Sequence, residues 1–166
     1  MMLTLVRQPF ELHSTLFSGQ AFRWRLNGAW SEGVVFENFV RLRQSDKGIE
    51  FTSAPGDEGS LEPWLRDYLG LNHDMEHVYE SIALDDRLKT AINNYPGMRI
   101  LRQDPWECLI SFLLAQASNI PRIIRNKEDI CQAFGRPIKI EARTCYAFPN
   151  PGDLVNAGVQ ELKRLK

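Results

Sequence analysis

Residues 101–123, LRQDPWECLISFLLAQASNIPRI, constrain the fold of this chain more than any other stretch. Asp104 can N-cap a helix, Pro105 suits the first helical position, and Glu107 follows three residues after the cap. Trp106, Leu109, Ile110, Phe112, Leu113 and Leu114 then form a broad apolar face, which predicts a buried helix. Gln116, Ala117, Ser118 and Asn119 make a short polar turn. Ser118 or Asn119 caps a second helix, with Pro121 in its first turn. Two capped helices joined this closely make a rigid corner.

Ahead of that corner the period changes. Up to about residue 53 the chain reads as short alternating strands. LTLV is a strand broken by Pro9, and a short helix runs to about Leu16. A strand then places Phe22, Trp24 and Leu26 on one face and Arg23 and Arg25 on the other. Asn27-Gly28 is a strong hairpin signal, with residues 30–36 as the return strand. Residues 39–44 and 48–52 add further strands, giving an antiparallel meander with one apolar face. Helical patterns follow: residues 61–68, ended by Gly70, then a longer helix from an Asp74 cap through Asn93. Met75, Val78, Tyr79, Ile82, Leu88 and Ile92 mostly share one face of that helix.

Tyr95-Pro96-Gly97 breaks the pattern, and the domain boundary is placed there: 1–97 as a sheet with helices, 98–166 as a helical part. Beyond the corner, the second helix runs from Ile120 to Phe134 and stops at Gly135. Residues 136–139 read as a connector, and a last helix starts near Pro151 or Asp153 and breaks at Gly158. The expected class is α+β.

At 166 residues, 43% hydrophobic and 25% charged, the chain can bury an ordinary core. Its net charge of −1 gives no overall support to a nucleic-acid partner, so such a claim has to rest on local features. The cysteines, Cys108, Cys131 and Cys145, form neither a metal spacing nor an even disulfide framework. Cys108 and Cys131 fall in apolar helical patterns and read as inert core thiols, which points to a reducing, intracellular compartment. No secretory signal or membrane-length apolar run is present.

Most of the candidate chemistry has a plain reading. His73 and His77 share an i, i+4 spacing near Glu76 and Glu80, but two histidines seldom suffice for a site and they read as surface residues; no metal or cofactor is expected. Asp85-Asp86 and Asp57-Glu58 read as a cap and a solvated loop. Two features remain. In FSGQAFRW, Gly19 permits a positive φ or a close backbone approach, against the plain reading of a simple turn. In SNIPR, small polar residues at a helix N-terminus offer N–H groups to a phosphate or a base edge. Arg122 lies where the helix dipole disfavours a cation, which hints at an anionic or base partner as readily as at an ordinary surface arginine. Arg99, Arg102, Arg125 and Lys127 would add to a local basic patch.

SGQAFRWR, then LRQDPWECLISFLLAQASNIPRI about 80 residues later, then CQAFG and FPNPGDL, resemble the 8-oxoguanine DNA glycosylases of the helix-hairpin-helix superfamily. The similarity covers nearly the whole chain in order. It implies an N-terminal antiparallel sheet similar to the TATA-binding-protein fold, followed by an all-helical domain. It also implies damaged double-stranded DNA as partner, with the oxidised base flipped into a pocket. Gly19 matches the glycine whose carbonyl accepts from the N7–H that only oxidised guanine carries. Asn119 and Arg122 match the third Asn and the Arg of the family's helix-corner motif, and Ser118 and Ala117 stand where its other two Asn would be. Ala117 has no side chain to hydrogen-bond, so cytosine reading is expected to be weaker.

The family's catalytic Lys and Asp lie downstream of Lys166, so no catalytic residue is expected here and the chain reads as the front portion of a glycosylase. Lys163 and Lys166 are not promoted to the role. Apolar surface on Ile110, Phe112 or Leu113 would then lie uncovered and could join two copies as a dimer. The alternative is a non-catalytic damaged-DNA binder or interaction module with the same fold. The expected location is intracellular, in cytoplasm or nucleoid in a prokaryote and in the nucleus in a eukaryote.

Overall fold

The computed structural model describes residues 1–3, 9–116, 118–140 and 143–165. Its chain order is β1 (Met2–Leu3), α1 (Leu12–Phe17), β2 (Arg25–Asn27), β3 (Trp30–Val35), β4 (Asn38–Ser45), β5 (Gly48–Ala54), α2 (Glu58–Tyr68), α3 (Met75–Ile82), α4 (Asp86–Asn94), α5 (Pro105–Ala115), α6 (Ile120–Phe134), β6 (Pro137–Ile140), β7 (Arg143–Tyr146) and α7 (Pro151–Leu162). Most of the expected LTLV strand falls outside the described residues. Every ladder is antiparallel, and the sheet order is β1-β5-β4-β3-β2. The β2–β3 turn is a two-residue loop closed by the Asn27↔Trp30 pair, with Gly28 at φ 60° as such a turn requires.

One face of the sheet forms the main core. Leu3, Val35, Val40, Leu42, Ile49 and Phe51 pack with Leu12 and Leu16 of α1 and Leu61, Leu65 and Tyr68 of α2. The alternation predicts Trp24 on a strand beside Leu26, but β2 begins only at Arg25. Trp24 is buried and donates from Nε1 to the Tyr68 hydroxyl at 2.9 Å, while Leu26 is exposed. Trp24 covers Gly33 so closely that a Cβ there would come within 2.7 Å of the indole.

The meander has a second apolar face, contrary to expectation. Of the expected connector 136–139, residues 137–139 belong to strand β6, which pairs with β7 and whose Ile138 and Ile140 pack with Phe39. Phe39 and Val40 are neighbours on one strand and so point to opposite faces. Polar residues reinforce this docking. Glu32 on β3, 7% exposed, accepts from Asn27, Arg41 and Arg143, the last from β7. Burial works against ionising Glu32, yet these donors outweigh it and hold the carboxyl below the ordinary value. Arg136 pairs with Glu37 at 2.7 Å, and Arg23 donates to the Tyr146 carbonyl.

The helix expected to run from Asp74 through Asn93 is two helices. Asp74 caps α3, and Asp85 starts α4 by accepting from the Arg87 and Leu88 amides. Asp57, read as loop, caps α2 through the Ser60 amide. Residues 83–85 separate α3 from α4, so the two apolar stripes line an open groove of about 400 Å³ with Met98 and Ile100. The helix α5 is capped by Asp104 as expected, yet it is not buried: Leu109, Phe112 and Leu113 are 50%, 66% and 51% exposed. Cys108 on the same helix is exposed too, whereas Cys131 is buried. The last helix breaks at Gly158, where φ is 73°. No helix among the described residues is long and apolar enough to cross a membrane.

Candidate functional site

The two sequence features that resisted a plain reading lie at opposite ends of α5. Gly19 follows α1 in an exposed turn at φ +87°. A Cβ there would meet nothing within 4 Å, so the backbone conformation, rather than crowding, favours glycine. Gln20 holds the turn in place. Its Nε2 donates to the Arg99 carbonyl at 2.8 Å, and its Oε1 accepts from the Leu101 amide at 2.9 Å. Its own carbonyl accepts from Gln103 Nε2 at 2.8 Å. The turn is therefore fastened to the segment that enters α5, across about 80 residues of sequence.

At the other end of α5, Asn119 adopts an extended conformation and its Oδ1 accepts from the Arg122 amide at 3.0 Å, capping α6. Asn119 and Arg122 are exposed. Ser118 Oγ is shielded from solvent and has no hydrogen-bond partner among the described residues. Ala117 lies outside the described residues. The eleven residues of α5, roughly 16 Å at 1.5 Å per residue, run between the segment clamped by Gln20 and the corner.

The proposed basic patch shrinks. Arg99 is 3% exposed and serves as an internal tie: its guanidinium donates to the carbonyls of Gly70, His73 and Pro9. Burial pushes its pKa below the ordinary arginine value. Lys127 is also buried, at 1%. Arg102 pairs with Asp67 at 3.0 Å and meets His73 Nε2 at 3.1 Å, so His73 is engaged away from His77. Arg122 and Arg125 stay exposed on α6. Among the described residues, no group of three or more His, Cys, Asp or Glu is placed to hold a metal ion.

Sequence reasoning missed three positioning residues. Gln20 stands inside the quoted motif, but its partners are remote in sequence. The buried Lys127 and the partly buried Glu107 form an ion pair at 2.8 Å between α6 and α5. A signal existed for Lys127: it falls on the inward stripe of α6 with Ile123, Ile130 and Cys131. The thiol of Cys108 is pushed up by partial desolvation and by Glu107 and Asp104, against Lys127, so its exposure does not make it a reactive thiolate.

Residues 2–109 match the family described as 8-oxoguanine DNA glycosylase, N-terminal domain. The N-glycosylase/DNA lyase of Saccharomyces cerevisiae is 29% identical over 171 residues, an alignment covering 95% of this chain and 46% of that protein. The structure of MBOgg1 in complex with a low affinity DNA ligand superposes with a TM-score of 0.85 at 32% identity, covering 94% of this chain and 54% of that one. The apo form of Clostridium acetobutylicum 8-oxoguanine glycosylase/lyase gives 0.87 at 26% identity, covering 95% and 55%. The chain thus spans about half the length of the curated relatives it matches.

Proposed function

The chain belongs to the 8-oxoguanine DNA glycosylases, matched through their N-terminal domain, and on that premise we propose that it recognises 8-oxoguanine in duplex DNA as the lesion- and DNA-reading portion of a base-excision glycosylase. The observation that carries this reading is the Gly19 turn, exposed at positive φ and clamped by Gln20 to the entrance of α5. A carbonyl in such a turn accepts from the N7–H of oxidised guanine but faces a lone pair on normal guanine. A buried acceptor left unpaired costs about 1–3 kcal/mol, enough for roughly a five- to hundred-fold preference at 1.4 kcal/mol per decade.

The corner plays the second part. Asn119 spends its oxygen on the cap, so it would meet a base through its amide donors. Arg122 has donors suited to the O2 and N3 acceptors of the orphaned cytosine. Ser118 stands beside them with a hydroxyl that no described residue engages and that must turn out of its shielded position to meet DNA. We assign the excision nucleophile to no residue of this chain. We divide the chain at Gly97, with the β6–β7 hairpin returning from the second part to dock on the sheet. The place of action is the intracellular compartment that holds the DNA.

The test is a titration of the 166-residue chain with duplexes carrying 8-oxoguanine or guanine opposite cytosine. Wild type should prefer the lesion, and Gly19→Ala, which strains the backbone at φ +87°, should lose at least five-fold of that preference. Equal affinity for both duplexes in wild type would sink the reading. A second reading has its own support. The exposed Leu109, Phe112 and Leu113 on α5 suit an interaction module, or a dimer of this chain. DNA affinity that is flat in salt, with a concentration-dependent mass in sedimentation, would favour it, because phosphate contacts give a steep salt slope.

A further inference from the structure

Lys127 is placed where α6 would ordinarily carry an aliphatic side chain. Its side chain is 1% exposed, and its Nζ donates to Glu107 Oε1 at 2.8 Å. The ammonium lies 5.7 Å from the ring centroids of both Phe22 and Phe148. Taking such a pair out of water costs about as much as the attraction returns, and well-packed apolar residues often serve stability equally well. What the pair adds is direction, since a hydrogen-bonded ion pair fixes one separation where apolar contacts can slide.

The elements it joins are the ones that carry the recognition residues. Phe22 lies just beyond the Gln20 clamp, so the Lys127 ammonium faces the ring that follows the Gly19 turn. Glu107 is in the first turn of α5, whose Asp104 cap accepts from the Glu107 amide at 2.8 Å. Phe148 precedes Pro149, whose carbonyl accepts from Trp106 Nε1 at 2.9 Å and ties the same end of α5 again. Lys127 itself rides on α6, which starts at the Asn119 cap.

We propose that Lys127 and Glu107 act as a positioning pair that sets α6 against α5, and so fixes Asn119 and Arg122 relative to the Gly19 turn. Neither residue touches DNA. The proposal rests on the reading that both places engage one lesion site. If they do, a shift of one against the other removes lesion preference and leaves general duplex affinity in place.

Wild type, Lys127→Met, Glu107→Gln and the double variant are compared for affinity to the 8-oxoguanine and guanine duplexes, for Tm, and for amide hydrogen exchange. Each single variant leaves one partner, the buried Lys127 or the partly buried Glu107, without its counter-charge, so Tm falls and lesion preference drops at least five-fold. The double variant removes both charges: its Tm returns toward wild type, while its lesion preference stays at least five-fold low and its affinity for the guanine duplex stays within two-fold. Amides in the first two turns of α6 exchange at least ten-fold faster in it, with β4 and β5 unchanged. A double variant that regains both Tm and lesion preference overturns the proposal, as does unchanged exchange in α6. If exchange in β4 and β5 shows that the double variant does not fold, Glu107→Gln carries the comparison. Wild type without lesion preference overturns the functional reading and the proposal together; wild type with it, beside an equally selective double variant, overturns the proposal alone.

Discussion

Phe51 and Phe112 are the same residue in opposite circumstances. Phe51 sits at the centre of β5, fully buried between the sheet and the helices α1 and α2. Phe112 lies in the most apolar helix of the chain and is 66% exposed. Both belong to patterns that predict burial. The sheet face finds two helices to cover it, whereas the outer face of α5 meets no covering element among the described residues. Apolar periodicity states which face wants a partner; stabilisation arises only where one is present.

The comparison can be broken at its strong end. Phe51→Ala should cost about 4 kcal/mol, the usual range for a buried aromatic truncated in a core, read as a lower midpoint in urea. A loss under about 1 kcal/mol would mean that the sheet core is not packed as described. An intermediate effect is expected at Glu32, where charge rather than apolar area does the holding. Glu32→Gln should cost about 2 kcal/mol at neutral pH, the scale of charge-assisted hydrogen bonds to a buried carboxylate. The pH dependence has a definite sign. The folded pKa is below the ordinary 4.5, so the folded state binds fewer protons than the unfolded one as pH drops. The Glu32 contribution is complete above 4.5 and disappears as pH falls through the folded value. Stability of Glu32→Gln should therefore fall less steeply than wild type below pH 4.5, and parallel acid profiles would contradict the assignment. The smallest effect belongs to Phe112→Ala, expected within about 0.5 kcal/mol of wild type in the isolated chain. A cost of about 3 kcal/mol would reveal a partner on α5, such as a second copy, and its dependence on protein concentration would identify that case.

Much of the architecture was legible because local chemistry is decisive at element ends. Residue type and position predict Asp74, Asp104 and Asn119 as caps, and each accepts from its helix's first-turn amides. Asn27-Gly28 and Gly158 marked a turn and a break through backbone freedom alone. The misreadings share a different cause. Residues 136–139 have too short a pattern to declare a strand, and the β6–β7 hairpin is supported by Phe39, Glu32 and Glu37, all about 100 residues earlier. The helix expected across residues 75–93 broke at Asp85 because an aspartate can satisfy new N-terminal amides as well as sit in a continuous helix. Sequence alone predicts Arg99 and Lys127 as surface charge because charge is usually solvated. Gly70, His73 and Pro9 carbonyls for one, and Glu107 with two phenyl rings for the other, reverse that expectation.

By itself the amino-acid sequence determined where helices begin, where hairpins turn, which backbone position needs glycine, and which family the motifs resemble. These depend on interactions within a few residues or on an ordered string of side chains. Only the tertiary structure decided which charges are buried, which apolar faces are covered, and how the Gly19 turn is held to the start of α5 while the Asn119 corner sits at its far end. Those outcomes depend on partners such as Gln20 with Leu101, or Lys127 with Glu107. A side chain's type limits what it can bond to, but its partner is chosen by the path of the rest of the chain.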